Sequence, residues 1–254
     1  MFRPRIIPVL LLKGTTLTKS IKFKDFKYIG DPINAVKLFN NLKADELVFL
    51  DINATKENRT ISLEFVSKLS EETNMPFAVG GGIKRLDDIQ KIISAGAEKV
   101  IINTAALTNP NFIQQAAETF GTSTIVVCMD VKSKFLKGNR VYSNSGKKSS
   151  KYTPLEYAKL IEKMGAGELI VQSIDQDGVM NGYDIPLINE IATNVSIPVV
   201  ALGGAGNIEH LKTAYHEGYA SAVGSGSLFI YQSLKRGVLI NYPKRNQLND
   251  IFFT

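Results

Sequence analysis

The feature that most constrains this chain is a repeat of its own sequence. Ala44-Asp45-Glu46-Leu47-Val48 recurs as Ala166-Gly167-Glu168-Leu169-Ile170, displaced by 122 positions. The same displacement carries Pro76 onto Pro198, Gly81-Gly82 onto Gly203-Gly204, and Gly96-Ala97 onto Gly218-Tyr219. Self-similarity at one fixed offset marks a fold assembled from like units. Leu10-Leu11-Leu12-Lys13 also lies over Met129-Asp130-Val131-Lys132 at an offset of 119. Short apolar runs alternate with longer amphipathic stretches throughout. The runs 6–12, 46–52, 77–79, 99–103, 124–130, 168–173, 199–202 and 221–224 read as strands. Eight strands separated by helical stretches require parallel crossover connections. A length of 254 residues matches the usual ~250 of an eightfold βα barrel. The sequence thus predicts an α/β fold: one (β/α)8 TIM barrel over residues 1–254, made of two similar half-barrels, about 1–122 and 123–254. A doubly wound open sheet is the alternative, and symmetric halves of four βα units fit closure better.

The helices carry readable punctuation. Asp31-Pro32 and Thr153-Pro154-Leu155-Glu156 put a capping oxygen before proline, the second with a capping-box acid. Gly96, Gly121, Gly165 and Gly218 each follow a helical run, where a left-handed residue is expected.

Composition narrows the class. Hydrophobic residues make up 44% and charged residues 21%, enough for a sizeable core. No apolar run approaches the ~18 residues of a membrane span, and the run 6–12 lacks the flanks of a signal peptide. A single cysteine, Cys128, leaves no disulfide framework and no thiol cluster for a metal. His210 and His216 both fall in a helix after the seventh strand and read as solvated. The expectation is a cytoplasmic protein with no metal, cofactor, membrane or nucleic-acid partner. The net charge of +6 is concentrated: Lys13, Lys19, Lys22, Lys24 and Lys27 face one acid, Asp25. Between Lys132 and Lys151 seven bases stand with no acid. Two such clusters on one face would form a positive funnel for an anionic ligand.

In such barrels the functional loops follow the strands. Gly80-Gly81-Gly82 follows the third strand and Gly203-Gly204-Ala205-Gly206 the seventh. Glycine lets backbone N–H groups approach an anion, and the next helix adds its positive end. Asn103-Thr104 ends the fourth strand, and Ser225-Gly226-Ser227 stands at the matching place after the eighth. Each half thus offers two neighbouring strand ends suited to phosphate, although glycines serving only tight turns would look alike singly. Strand-end acids are Asp51, Asp130, Asp175 and Asp177, with Asp130 the first choice for acid/base work. Its repeat mate is Leu11, which cannot transfer a proton. At the opposite ends Arg5, Glu46, Lys99 and Glu168 start strands 1, 2, 4 and 6. Pointing inward, they would have to pair into a salt-bridged ring at the barrel floor.

At these residues the chain resembles the HisF family, the cyclase subunit of imidazole glycerol phosphate synthase. The likeness runs from Arg5 to about Phe229 and includes residues 45–51, 79–83, 102–106, 173–178 and 203–206. The resemblance implies a glutaminase of the HisH kind docked on the N-terminal face. It also implies an ammonia gate at Arg5, Glu46, Lys99 and Glu168. A doubly phosphorylated substrate would be held near Gly81, Gly82, Asn103, Thr104 and Asp51 in one half. In the other half it would meet Asp177, Gly178, Gly203, Gly204, Gly226 and Ser227. Of the family's two catalytic aspartates only Asp130 is matched; Leu11 takes the other position. Lys19 matches the first-loop lysine, and Leu202 replaces a serine before the second glycine pair. The first strand and Ile21-Lys22-Phe23-Lys24 look like a paralogous branch associated with surface polysaccharide. That branch implies ammonia supply to a sugar, with a glutaminase and a separate sugar amidotransferase as partners. A cyclase of histidine biosynthesis that compensates for Leu11, and a non-catalytic docking scaffold, are the alternatives.

Overall fold

A computed structural model describes residues 3–232 and 237–253. The chain opens with β1 (Arg5–Lys13), β2 (Thr16–Ile21) and β3 (Lys24–Gly30), then α1 (Pro32–Leu42), β4 (Leu47–Asp51) and α2 (Leu63–Glu72). Next come β5 (Phe77–Gly80), α3 (Leu86–Ser94), β6 (Lys99–Ile102), α4 (Thr104–Thr108) and α5 (Asn111–Phe120). The second half runs through β7 (Ile125–Lys134), β8 (Gly138–Ser143), β9 (Lys148–Ser149), α6 (Pro154–Lys163), β10 (Glu168–Ser173) and α7 (Ile185–Ala192). It ends with β11 (Val199–Leu202), α8 (Ile208–His216), β12 (Ala222–Ser225), α9 (Ser227–Ile230) and α10 (Arg245–Phe253).

Eight of these strands are parallel neighbours in the order β1, β4, β5, β6, β7, β10, β11, β12, and β12 pairs back onto β1. The sheet is closed, as the sequence predicts, and the open-sheet alternative falls. Strand alternation sorts side chains into two shells. On β1, Ile7 and Val9 face the interior while Ile6, Leu10 and Leu12 pack under the helices. On β7, Val126 and Cys128 face inward, and Ile125, Val127 and Met129 outward. The same parity directs Arg5 and Leu11 of β1, and Asp130 of β7, to the interior.

The sequence reading stopped the first and fifth strands too early. β1 and β7 run on past the rim and fold back into antiparallel hairpins, β2–β3 and β8–β9. Their polar, lysine-rich sequence hides the alternation that marks a buried strand. The helix caps follow the sequence more closely. Asp31 accepts from the Asn34 N–H at 2.9 Å, and Thr153 and Glu156 form the capping box of α6. Gly96, Gly121 and Gly165 have positive φ, whereas after α8 the left-handed residue is Tyr219, φ 54°, and not Gly218. Gly218 is needed for another reason: a Cβ there would press 2.5 Å from the Ala214 carbonyl oxygen. His210 is not simply solvated, because its Nδ1 accepts from the Gly206 N–H at 3.1 Å.

Candidate functional site: the two ends of the barrel axis

At the floor, residues that begin four strands meet on the axis. Arg5 donates to both Glu46 and Glu168, and Lys99 donates to the same two carboxylates at 3.0 and 3.1 Å. Charges alternate around the ring, so each buried carboxylate has two cationic partners. That arrangement offsets the desolvation each would suffer alone. Burial works against the Arg5 charge, but Glu168 and then Glu46 outweigh it and raise the guanidinium pKa. The cations are the better solvated members: the Arg5 side chain is 34% exposed and that of Lys99 22%. Directly above the ring is a cavity of about 10 Å³, room for one water-sized molecule. Apart from Glu46 and Glu168 it is walled by aliphatic side chains, among them Val48, Ile101, Ile170 and Leu202.

At the other end of the axis Asp130 is buried, and that desolvation pushes its carboxyl up to about 7, with Asp177 adding to the shift. A hydrogen bond from Asn103 opposes the rise. Asn103 also donates to the Cys128 carbonyl at 2.8 Å, which fixes it beside the carboxylate. Lys19 is buried too; its Nζ donates to the Val9 carbonyl at 2.7 Å. Desolvation brings its pKa down to about 8 against the pull of Asp177. Asp177, itself raised by burial, accepts from Ser20 Oγ at 2.8 Å and from Gln172 Nε2 at 3.3 Å. The mouth therefore gathers a carboxyl group at about 7, an amine at about 8 and a second carboxyl raised by burial, a setting suited to moving protons. Leu11 occupies the inward position that the repeat equates with Asp130, and it adds only apolar surface.

The other predicted residues have definite places. Asp51 accepts from the N–H groups of Asn53 and Ala54 and pairs with Arg59, so its carboxylate is engaged in shaping the β4–α2 loop. Thr104 Oγ1 accepts from the Asn144 N–H at 3.1 Å and donates to Asn103 at 3.3 Å. Gly81 and Gly82 lie against the segment from Asp51 to Arg59. Gly178 lies against the Ser20 carbonyl, Gly203 against Ser173, and Gly204 against the Gly182 carbonyl. These turns thus need glycine for close backbone approach in addition to any anion. At Gly226 an added Cβ would land on the Lys19 ammonium, and Ser227 beside it is buried at the start of α9. Lys19 therefore belongs to the interior of the site and not to an exposed funnel.

The two hairpins meet over this end. Lys22 N–H donates to the Asp177 carbonyl at 2.9 Å, and Phe23 N–H to its carboxylate at 3.4 Å. A Cβ on Gly146, in the β8–β9 turn, would touch the Phe23 ring at 3.2 Å. Ser133 N–H donates to Asp175 at 2.8 Å, tying the second hairpin to the loop after β10. Ser20, Gln172, Asn144 and Phe23 were not legible as site residues. Ser20, Asn144 and Phe23 act through contacts that depend on the hairpins, and Gln172 through its bond to Asp177; the sequence gives no period or motif for any of them. Among the described residues no group of His, Cys, Asp and Glu is arranged to hold a metal, and no helix is long and apolar enough to cross a membrane.

Known proteins resemble this chain over nearly its whole length. The family described as histidine biosynthesis protein matches residues 5–235. A Pseudomonas aeruginosa protein provisionally named imidazole glycerol phosphate synthase subunit hisF2 is 45% identical over 249 residues, covering 98% of this chain and 99% of its own. The imidazole glycerol phosphate synthase subunit HisF of a Nostoc species is 43% identical over 251 residues, 98% of this chain and 97% of its own. That of Natranaerobius thermophilus is 42% identical over 242 residues, 95% and 96% of the two chains.

Proposed function

The chain belongs to the histidine biosynthesis protein family, among its HisF-type subunits, and from that premise we propose that it conducts ammonia along its axis to an anionic acceptor site at its mouth. The single observation that carries this reading is the ring of Arg5, Glu46, Lys99 and Glu168, closed by mutual ion pairs across the axis beneath a one-molecule cavity. A HisH-like glutaminase docked on the floor delivers ammonia to this ring. Lys99, on a flexible stem, swings aside and re-forms its two ion pairs behind the passing molecule. At the mouth Asp130 exchanges a proton, and Lys19 and the Gly226-Ser227 turn hold an anionic group. Gly81-Gly82, Asn103-Thr104, Gly178 and Gly203-Gly204 complete the cradle for a phosphorylated small molecule. No cofactor or metal enters the scheme, and the compartment is the cytoplasm.

The acceptor is a sugar destined for surface polysaccharide of the O-antigen type, amidated with the help of a separate sugar amidotransferase. Leu11 supports this over ring closure, because, of the two strand positions that the repeat equates, only Asp130 carries a carboxylate, where a paired acid/base mechanism uses two. A second reading is an authentic cyclase of histidine biosynthesis, favoured by full-length relatives bearing the HisF name at 42–43% identity. The discriminating assay supplies purified chain with the aminoimidazole carboxamide ribonucleotide substrate and ammonium salt. No imidazole glycerol phosphate is expected from the wild type, and a gain is expected from Leu11→Asp. Robust product from the wild type would overturn the first reading in favour of the second. A pure scaffold would leave output unchanged in Asp130→Asn.

A further inference from the structure

The second hairpin ends in a turn that no described residue covers. Phe135 is 89% exposed and Leu136 91%, side by side. Leu136 is held at φ 60°, a left-handed conformation that glycine or asparagine would adopt with less strain. Lys132, Lys134, Lys137 and Arg140 flank the turn, with no acid between Lys132 and Lys151. The first hairpin presents Phe26 and Tyr28, 42% and 70% exposed, among Lys22, Lys24 and Lys27. The first hairpin meets the second at the β8–β9 turn, where Phe23 and Gly146 abut, so the tip at Phe135 and Leu136 stands apart from it.

We propose that this tip is the docking site for an acidic protein with an apolar pocket, which takes up what leaves the barrel. The assignment rests on the reading that ammonia leaves by the mouth. Adjacent exposed apolar side chains mark interaction sites, and the bases from Lys132 to Lys151, with no acid among them, steer an oppositely charged partner. An anionic bilayer would also attract lysines and accept Phe135 and Leu136. The left-handed Leu136 decides between them. The turn, closed by the Lys137 N–H to the Lys134 carbonyl at 3.0 Å, sets the directions of the two Cα–Cβ bonds; a rigid pocket makes use of set directions, and a fluid membrane does not. β7 carries the tip clear of the site as well: five residues past Asp130 span roughly 16 Å.

The test places a benzophenone photo-crosslinker at position 135 of the full chain, co-expressed with its glutaminase in the native host. The crosslinked protein is identified, purified and titrated against the unmodified complex. Saturable binding is expected, weakened at least tenfold by Phe135→Ser with Leu136→Ser, and with an on-rate that falls as salt rises and in Lys134→Glu. An unchanged urea midpoint in the double variant verifies that it folds. Crosslinks to lipid alone, with binding to phosphatidylglycerol vesicles, would overturn the proposal in favour of a membrane. No protein adduct, or a partner indifferent to the double variant, would overturn it outright. If the partner binds as expected but glutamine-derived ammonia never reaches it, the docking surface stands and the conducting reading falls. If ammonia is transferred equally well with the double variant, the reverse holds.

Discussion

Burial lifts the Asp130 carboxyl to about 7, while the unfolded chain titrates near 3.9. The folded protein therefore binds the extra proton between these values. Its contribution to stability is full below about pH 4 and is lost as pH rises through 7. Lys19 has the opposite sign: its folded value of about 8 lies below the unfolded ~10.4, so stability returns between pH 8 and 10.4. Urea unfolding across this range is expected to pass through a minimum near pH 7–8. Asp130→Asn should flatten the acid limb and Lys19→Met the alkaline limb. In the proposed reaction Asp130→Asn should also lower turnover by about a hundredfold or more, measured with saturating ammonium salt. Asp130 was readable from sequence because an acid after the apolar run Val126–Met129 marks where the strand leaves the barrel core, although β7 itself continues to Lys134. Its partners were not: Gln172 looks like any polar strand residue, and Ser20 lies in a stretch whose folding back cannot be inferred from lysines and threonines.

Among the elements, the floor ring and the paired hairpins act at opposite ends of the same strands. Lys99→Ala would leave Glu46 and Glu168 sharing Arg5 alone. The expected loss is at most about 3 kcal/mol, the low end for a broken buried pair, because Lys99 retains some exposure. More telling would be coupling: in complex with the glutaminase, glutamine hydrolysis should continue while amination at the mouth falls. Equal rates of both would remove the ring from the proposed path. The hairpins give a separate test. Phe23→Ala deletes the ring that meets Gly146, so hydrogen exchange at the Lys22 and Phe23 amides should accelerate while the β4–β6 amides hold. The eight barrel strands could be drawn from the sequence because each alternates or runs apolar between helices. β2, β3, β8 and β9 could not: β2 is buried through polar Thr18, Lys19 and Ser20, which carry no apolar alternation, and the others are ordered by pairing outward from β2 and β7.

For the whole molecule, one closed sheet joins the two ends without a linker, and the repeat gives each half a glycine turn of the same kind. A phosphorylated ligand held by both halves should stabilise the protein as a unit. At a concentration 100-fold above its Kd the expected gain is about 2.7 kcal/mol in a single cooperative unfolding transition. A shift confined to one of two resolved transitions would argue for independently stable halves, against the single domain read over 1–254. The closed cylinder was legible from the offset of 122 alone, since halves that repeat four βα units need each other to complete a sheet. What the repeat concealed was asymmetry: the Leu11 and Asp130 positions match in space and differ in chemistry.

The chamber above Glu46 and Glu168 sets a further condition on anything that crosses the molecule. With about 10 Å³ between aliphatic walls and a floor of two carboxylates already paired with Arg5 and Lys99, a traveller has no space for a hydration shell and no second traveller beside it. Stripping water from an ion in such a setting is prohibitive. On the proposed route, passage would be in single file and open to small neutral species, so a proton carried in from solution would be left behind at the threshold.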